Sequence, residues 1–379
     1  MEIVGIVCEY NPLHSGHQKQ FEIIRSELGE DTAIVCLMSG NYVQRGAPAV
    51  FHKSLRAKAA VLAGADLVLE MPVTTSLSSA EGFADGSVAI LGKICDRLCF
   101  GAENADADLL QRTTHALLAP SFSDALRKRL DEGLSFPAAR QKALQDLGCD
   151  SGLLSLPNNI LAVEYCKAIE SQQLSLAPMP IFRDGNYHDT DIDPDNPSAT
   201  SLRLRIGTDE PWLPYVPVTA QPIFENAAIH TLQAGQRAVL AKLRSMEPTD
   251  FENLPFGSEG LWRKLMHAVR EYSTLEDIAT AVKSKRYTRS RIDRMILCAF
   301  LGITEAQMQE AVPYVRVMAL NKRGGAILRQ HRDSGFFRNI GENTNHPYQQ
   351  REEKWEALYP LFAQGSAISC PPSQVYFHH

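Results

Sequence analysis

The chain lacks the features that mark exported, membrane-spanning or fibrous proteins. Its 379 residues hold eight cysteines, scattered and mostly inside apolar runs (Cys8, Cys36, Cys99, Cys166, Cys298), too sparse for a disulfide framework. Cys95 and Cys99 have no matching second pair, so they do not form a zinc pattern. No apolar run reaches the ~18 residues of a spanning helix, and Met1-Glu2-Ile3-Val4 does not start a leader peptide. The expectation is a cytoplasmic protein with reduced thiols and no membrane contact. Positive charge is also in short supply. Lys and Arg number 38 against 44 Asp and Glu, a net charge of −6, so a nucleic-acid partner must be met by a local basic patch. Apolar residues at 44% and charged residues at 22% are ordinary for a globular chain, which excludes disorder and a simple coiled coil.

What is present is an alternation. Short apolar runs at 3–8, 33–38, 67–71 and 97–100 are separated by helically spaced segments at 17–28, 53–63 and 80–93. Runs that are apolar almost throughout suit a parallel sheet covered on both faces, hence a Rossmann-like doubly wound α/β domain. A helix is expected after Pro157-Asn158-Asn159, an apolar run ends at Ile181-Phe182, and Ser198 starts a capped helix. Four prolines between Pro211 and Pro222 read as a linker. Beyond it, 226–243, 260–271, 275–282 and 288–301 have helical spacing. The expected organisation is therefore a catalytic domain over 1–210, a linker over 211–222, and a mainly α-helical C-terminal domain over 223–379 whose tail gives weak signals.

Ligands of doubly wound sheets bind at the carboxyl ends of the strands. There the first run is followed by Glu9-Tyr10-Asn11-Pro12-Leu13-His14-Ser15-Gly16-His17, with two histidines three apart around a glycine at a helix start. Free N–H groups and the helix dipole favour an anion at such a start, and two imidazoles could add hydrogen bonds to phosphate oxygens. Paired histidines also serve as zinc ligands or as ordinary surface residues, and the spacing alone leaves all three open.

The string Gly5 to His17 resembles the HxGH signature of the nucleotidylyltransferase superfamily. With Glu9-Tyr10-Asn11-Pro12 before the histidines, it is similar to the bacterial tRNA(Met) cytidine acetate ligase family. Further matching strings are Met38-Ser39-Gly40, Gln44-Arg45-Gly46, Phe100-Gly101, Pro157 to Leu161, Tyr187-His188-Asp189, Ser198 to Ser201, Lys285 to Thr288 and Tyr314 to Val317, so the resemblance covers about residues 1 to 330. It implies a nucleotidylyltransferase-type fold and ATP-dependent acetylation of the wobble cytidine of elongator tRNA(Met) to N4-acetylcytidine. In that reaction acetate attacks the α-phosphate of ATP, and the cytidine amine then takes the acetyl group from acetyl-adenylate. The resemblance implies catalytic roles for His14, His17 and Arg203. It implies ATP contacts from Val7, Cys8, Glu9, Tyr10, Asn11, Pro12, Leu13, His14, Ser15, Gly16, His17, Gly101, Asn158, Asn159, Arg183 and Ser201. Arg45 is as readily solvated as acetate-facing. Mg²⁺ is expected with ATP, although no compact carboxylate cluster marks a protein metal site.

From Lys283 to Arg294 six of twelve residues are basic, against one acid, Asp293. Ile292, Met295, Ile296 and Ala299 form an inward face, which leaves Arg286 and Arg294 pointing away. Lys285, Arg286, Tyr287, Arg289 and Arg294 are the candidate RNA contacts, with Tyr287 placed to stack on a base. Arg316, Lys322, Arg323, Arg329 and Arg332 extend the basic character. A solvated helix face with scattered ion pairs is the plainer alternative. Two other functions compete: a small-molecule adenylyltransferase of cofactor biosynthesis, and a non-catalytic nucleotide-responsive RNA-binding protein. The first leaves the basic helical half without a purpose; the second needs a broken phosphate site. No feature marks an obligate protein partner.

Overall fold

The computed structural model describes residues 1–183, 192–193, 197–342, 345–365 and 375–378. The Tyr187-His188-Asp189 string and the greater part of the acidic stretch before Pro197 lie outside these described residues. Five apolar runs become strands: β1 (Ile3–Cys8), β2 (Ala33–Ser39), β3 (Leu67–Met71), β4 (Arg97–Ala102) and β5 (Ala177–Phe182). They pair in parallel in the order β3-β2-β1-β4-β5, with Ile3 opposite Ala33 and Cys8 opposite Met38. Alternate side chains of β1 face opposite ways. Val4 and Ile6 pack with helices α1 (Ser15–Leu28) and α2 (Lys53–Leu62), while Ile3 and Val7 pack with α3 (Ala80–Leu91) and α4 (Pro157–Ser171). Strand order reverses between β1 and β4, which opens a crevice at their carboxyl ends.

After the helical segment the chain returns to this sheet. β6 (Val315–Asn321) lies antiparallel beside β3, and β7 (Phe337–Asn339) and β8 (Tyr376–His378) run parallel to β6. The sheet is therefore eight-stranded and mainly parallel but mixed, and three of its strands come from the C-terminal half. The helices there include α5 (Ala199–Arg205), α6 (Leu232–Arg244), α7 (Leu261–Glu271), α8 (Leu275–Val282), α9 (Arg289–Leu301) and α10 (Pro347–Leu358). Leu243, Leu265, Ile278, Met295 and Phe362 fill a core that also takes in Tyr42, Val73 and Leu77 from the sheet side. The Tyr42 hydroxyl donates to the Trp355 carbonyl at 2.7 Å.

The proline-bearing stretch 211–222 does not hang free as a tether. Trp212 stacks on Phe51 at 5.6 Å, and Val216 and Ala220 are buried on the α2 side of the sheet. Prolines remove donors and fix φ, which marks irregular backbone but says nothing of what that backbone packs against.

Candidate active site

The turn from β1 into α1 is held from several directions. Tyr10 adopts a left-handed φ of 44°, which a bulky residue keeps only when its surroundings demand it. Its buried ring meets His17 edge-on at 4.9 Å, and its hydroxyl lies 3.4 Å from Cys36 Sγ. Asn11 Oδ1 accepts from the Val50 N–H at 2.8 Å. Arg203, on α5, donates to the Asn11 carbonyl at 2.8 Å and to Thr200 Oγ1 at 3.0 Å. Underneath, the wholly buried Arg56 donates to the carbonyls of Glu9, Ser39, Gly40 and Phe51. One guanidinium thus ties the ends of β1 and β2 to the start of α2.

Both histidines are uncharged at neutral pH. Burial, then the charges of Arg183 and Arg203, push the His14 imidazole down to about 3. Burial, then His14, then Arg183 hold His17 well below its ordinary value. The two rings lie 3.7 Å apart. His17 Nδ1 accepts from the His14 backbone N–H at 3.2 Å, so the proton of neutral His17 resides on Nε2, a donor. His14 is 2% exposed, and among the described residues neither ring nitrogen has a hydrogen-bond partner. Buried polar atoms without partners are unusual and point to a missing ligand or water. Among the described residues no group of three or more His, Cys, Asp or Glu is placed to hold a metal ion.

The cleft above this turn is lined by Val7, Cys8, Glu9, Tyr10, Asn11, His17, Gly101, Asn158, Arg183 and Arg203, together with Ser198, Ala199 and Thr200. These are residues that the sequence singles out. A Cβ on Gly101 would stand in ordinary contact with Arg183 Cδ at 3.4 Å, so that arginine crosses the end of β4 close beside the glycine. Other expected contacts lie elsewhere. Pro12, His14, Ser15 and Gly16 do not line the cleft, and His14 sits behind His17. Leu13 is in the core beside α1. Ser201 is buried and donates to the Ser198 carbonyl.

Asn159 Oδ1 accepts from the Asn104 N–H, and the Glu103 carboxylate accepts from the Asn158 N–H, Asn158 Nδ2 and the Asn159 N–H. The asparagine pair therefore fastens the start of α4 to the end of β4. Gln20, Gln44, Phe83, Phe100, Leu161 and Tyr165 also line the cleft, and Arg45 joins them. Phe83 and Tyr165 had no sequence signal of their own, because an apolar residue on an amphipathic helix reads as core.

The basic segment lies next to this cleft. Gly46, at φ +79°, presses on α9 so closely that a Cβ would fall 2.4 Å from the Arg294 nitrogen. That contact pins the Gln44–Arg45 loop to the helix. Lys283, Lys285 and Arg286 are exposed just before α9, with Arg286 paired to Glu259. Arg289 pairs with Glu276 and Asp293, Arg291 donates to the Phe256 carbonyl, and Arg294 stacks over the Phe256 ring. Tyr287 is buried and donates to the Glu259 carbonyl, so its ring is not presented for base stacking. Arg316, too, belongs inside the protein, where it pairs with Glu70, Glu352 and Glu356.

The family profile described as HIGH Nucleotidyl Transferase matches residues 1–366. The tRNA(Met) cytidine acetate ligase of Acetivibrio thermocellus is 34% identical over 360 residues, covering 87% of this chain and 85% of that one. The proteins of the same name from Clostridium tetani and Clostridium kluyveri are 36% and 35% identical, covering 87% and 91% of this chain and the same shares of theirs. Crystal structures of Thermotoga maritima TmcAL, apo and bound with alpha-thio ATP, superpose with TM-scores of 0.89 and 0.86 at 26% identity over the whole of both chains.

Proposed function

The chain belongs to the HIGH nucleotidyl transferase family and, within it, to the tRNA(Met) cytidine acetate ligases, and on that premise we propose how its cleft performs an ATP-dependent acetylation of tRNA. The protein is an acetate ligase that joins acetate to ATP as acetyl-adenylate and passes the acetyl group to the wobble cytidine of elongator tRNA(Met). A carboxylate oxygen of acetate attacks the α-phosphorus, the bond to the bridging oxygen breaks, and pyrophosphate leaves with the electron pair. The cytidine exocyclic amine then attacks the acetyl carbonyl carbon and AMP departs.

Adenylation of this kind needs no protein nucleophile; it needs aligned reactants and stabilised charge. The phosphates rest beside His17, in the first turn of α1, between Arg183 and Arg203, and His17 Nε2–H donates to the charge that builds on pyrophosphate. His14, buried and neutral behind it, completes the donor set when the triphosphate enters. Arg203 has a second duty, since its bond to the Asn11 carbonyl fixes the turn. Mg²⁺ would arrive with ATP and take phosphate oxygens and water as its main ligands, because the described residues offer no carboxylate cluster.

Lys283, Lys285 and Arg286 receive the tRNA backbone at the entrance, while Arg289 and Arg294 shape the helix that carries them. The contact between Gly46 and α9 brings that entrance to the cleft. Among the described residues no helix is long and apolar enough to cross a membrane, and a tRNA substrate supports a cytoplasmic location.

The single observation behind this reading is the meeting of two uncharged imidazoles, one buried and one half-buried at the cleft, with two guanidinium groups at a helix start. Its test is incubation with ATP, carbon-13 acetate and tRNA(Met), followed by mass spectrometry of the RNA. Pyrophosphate release should require acetate, the label should appear on cytidine, and His17→Ala should turn over about 10²-fold more slowly. Unlabelled tRNA would refute the assignment.

A further inference from the structure

Val7, Phe83, Phe100, Leu161 and Tyr165 give the cleft an apolar recess, and of these Val7 alone is among the expected nucleotide contacts. Val7 on β1 and Phe100 on β4 flank the point where strand order reverses. Phe83 comes from α3, and Leu161 and Tyr165 from α4, one and two turns beyond Asn158 at the rim. Those two share a helix face that descends from the rim along the sheet. All five residues belong to one continuous apolar cluster. Phe83, Phe100 and Tyr165 are each no more than 6% exposed, and the rings of Phe100 and Tyr165 lie 5.5 Å apart. Walls packed in this way yield little to an extra methylene.

We propose that this recess receives the alkyl tail of the carboxylic acid and limits it to a methyl group. The proposal rests on the reading that the cleft adenylates a small carboxylate. For attack, a carboxylate oxygen must face the α-phosphorus, opposite the departing pyrophosphate. The phosphates are held at His17, Arg183 and Arg203, so the carbon–carbon bond of the acid points away from the rim and toward the floor. A methyl group needs only apolar walls there. An adenine ring would need partners for several ring nitrogens and an amino group, and the five side chains supply one hydroxyl, that of Tyr165. The floor therefore suits the tail of the acid better than the base of the nucleotide.

A hydrophobic pocket separates ligands that differ by one methylene by about 10–200-fold. The test measures pyrophosphate release with acetate, propionate and butyrate, and ATP affinity separately by calorimetry, for Leu161→Ala and for the milder Phe83→Leu. The preference for acetate over propionate in kcat/KM should fall about tenfold or more in at least one variant, with ATP affinity changed less than about threefold. An unchanged preference in both folded variants overturns the proposal. So does a loss of ATP affinity without a change in acid preference, which would give the recess to the adenine. Failure of the wild-type protein to release pyrophosphate with any carboxylate would instead overturn the reading of the cleft itself.

Discussion

His14 and His17 show how a residue's chemistry is set by its neighbours. An imidazole in water titrates within the physiological range, but here burial, then Arg183 and Arg203 at His14, and burial, then His14 and Arg183 at His17, keep both rings neutral. Neutrality suits a donor that must stabilise growing negative charge without first attracting a counter-anion. It also carries a stability consequence. Below the ordinary value of 6.5 the unfolded chain takes up a proton at His14 that the folded chain refuses until about pH 3. Stability contributed by the neutral ring is thus complete above pH 6.5 and is lost as pH falls through that window. Urea unfolding should show the wild type losing about 2 kcal/mol more between pH 8 and pH 5 than His14→Asn does. Equal losses would mean that His14 is not held neutral.

At the scale of elements, the helix starts carry the residues of the proposed site. The start of α1 carries the two histidines, and that of α4 is capped by Glu103 just beyond β4. The approach to α9 carries the exposed cations. Arg289 is engaged by Glu276 and Asp293, which leaves Lys283, Lys285 and Arg286 as the proposed RNA contacts. The double variant Lys285→Ala with Arg286→Ala should weaken tRNA binding and reduce the slope of log affinity against log salt by up to about 1.8, or about 0.9 for each phosphate left without its cation. Acetate-dependent pyrophosphate release should be unaffected. Filter binding across a salt series decides this, and an unchanged slope would move the RNA elsewhere on the surface.

Across the whole molecule, the two halves are joined by a buried ionic network as well as by a shared apolar core. Lys53 on α2 pairs with Glu70 on β3 and with Glu356 on α10, and Arg316 on β6 pairs with Glu70, Glu352 and Glu356. Burial pushes the Glu352 carboxyl up to about 7, against the pull of Arg316. A Cβ on Gly40, beside the cleft-forming loop, would strike the Glu70 carboxylate, so the network lies directly under that loop. Removing one partner of a buried pair leaves an uncompensated charge, and Lys53→Met should cost about 3–5 kcal/mol in chemical denaturation. A loss under about 1 kcal/mol would show that water already screens these charges.

Much of this was legible in the residues alone. Periodicity located β1 to β4 and helices α7 to α9 within a few residues, because a strand buried on both faces must be apolar throughout and a helix on a core must show a stripe. The string from Glu9 to His17 pointed to the cleft, which Glu9, Tyr10, Asn11 and His17 line, since local backbone and side chains there act together. Tertiary structure alone decided which distant segments meet. Val315–Leu320 could have paired anywhere, and only the folded chain shows it antiparallel to β3. Nothing in the pattern of Phe83, Leu161 and Tyr165 separates a core position from a ligand-facing one, because both are apolar and lie on the inner face of a helix. Charges behave likewise: Arg316 and Arg286 look alike in one dimension, yet one is buried among carboxylates and the other faces solvent. Local propensity and periodicity act over a few residues, whereas burial and partnership depend on contacts between segments hundreds of residues apart.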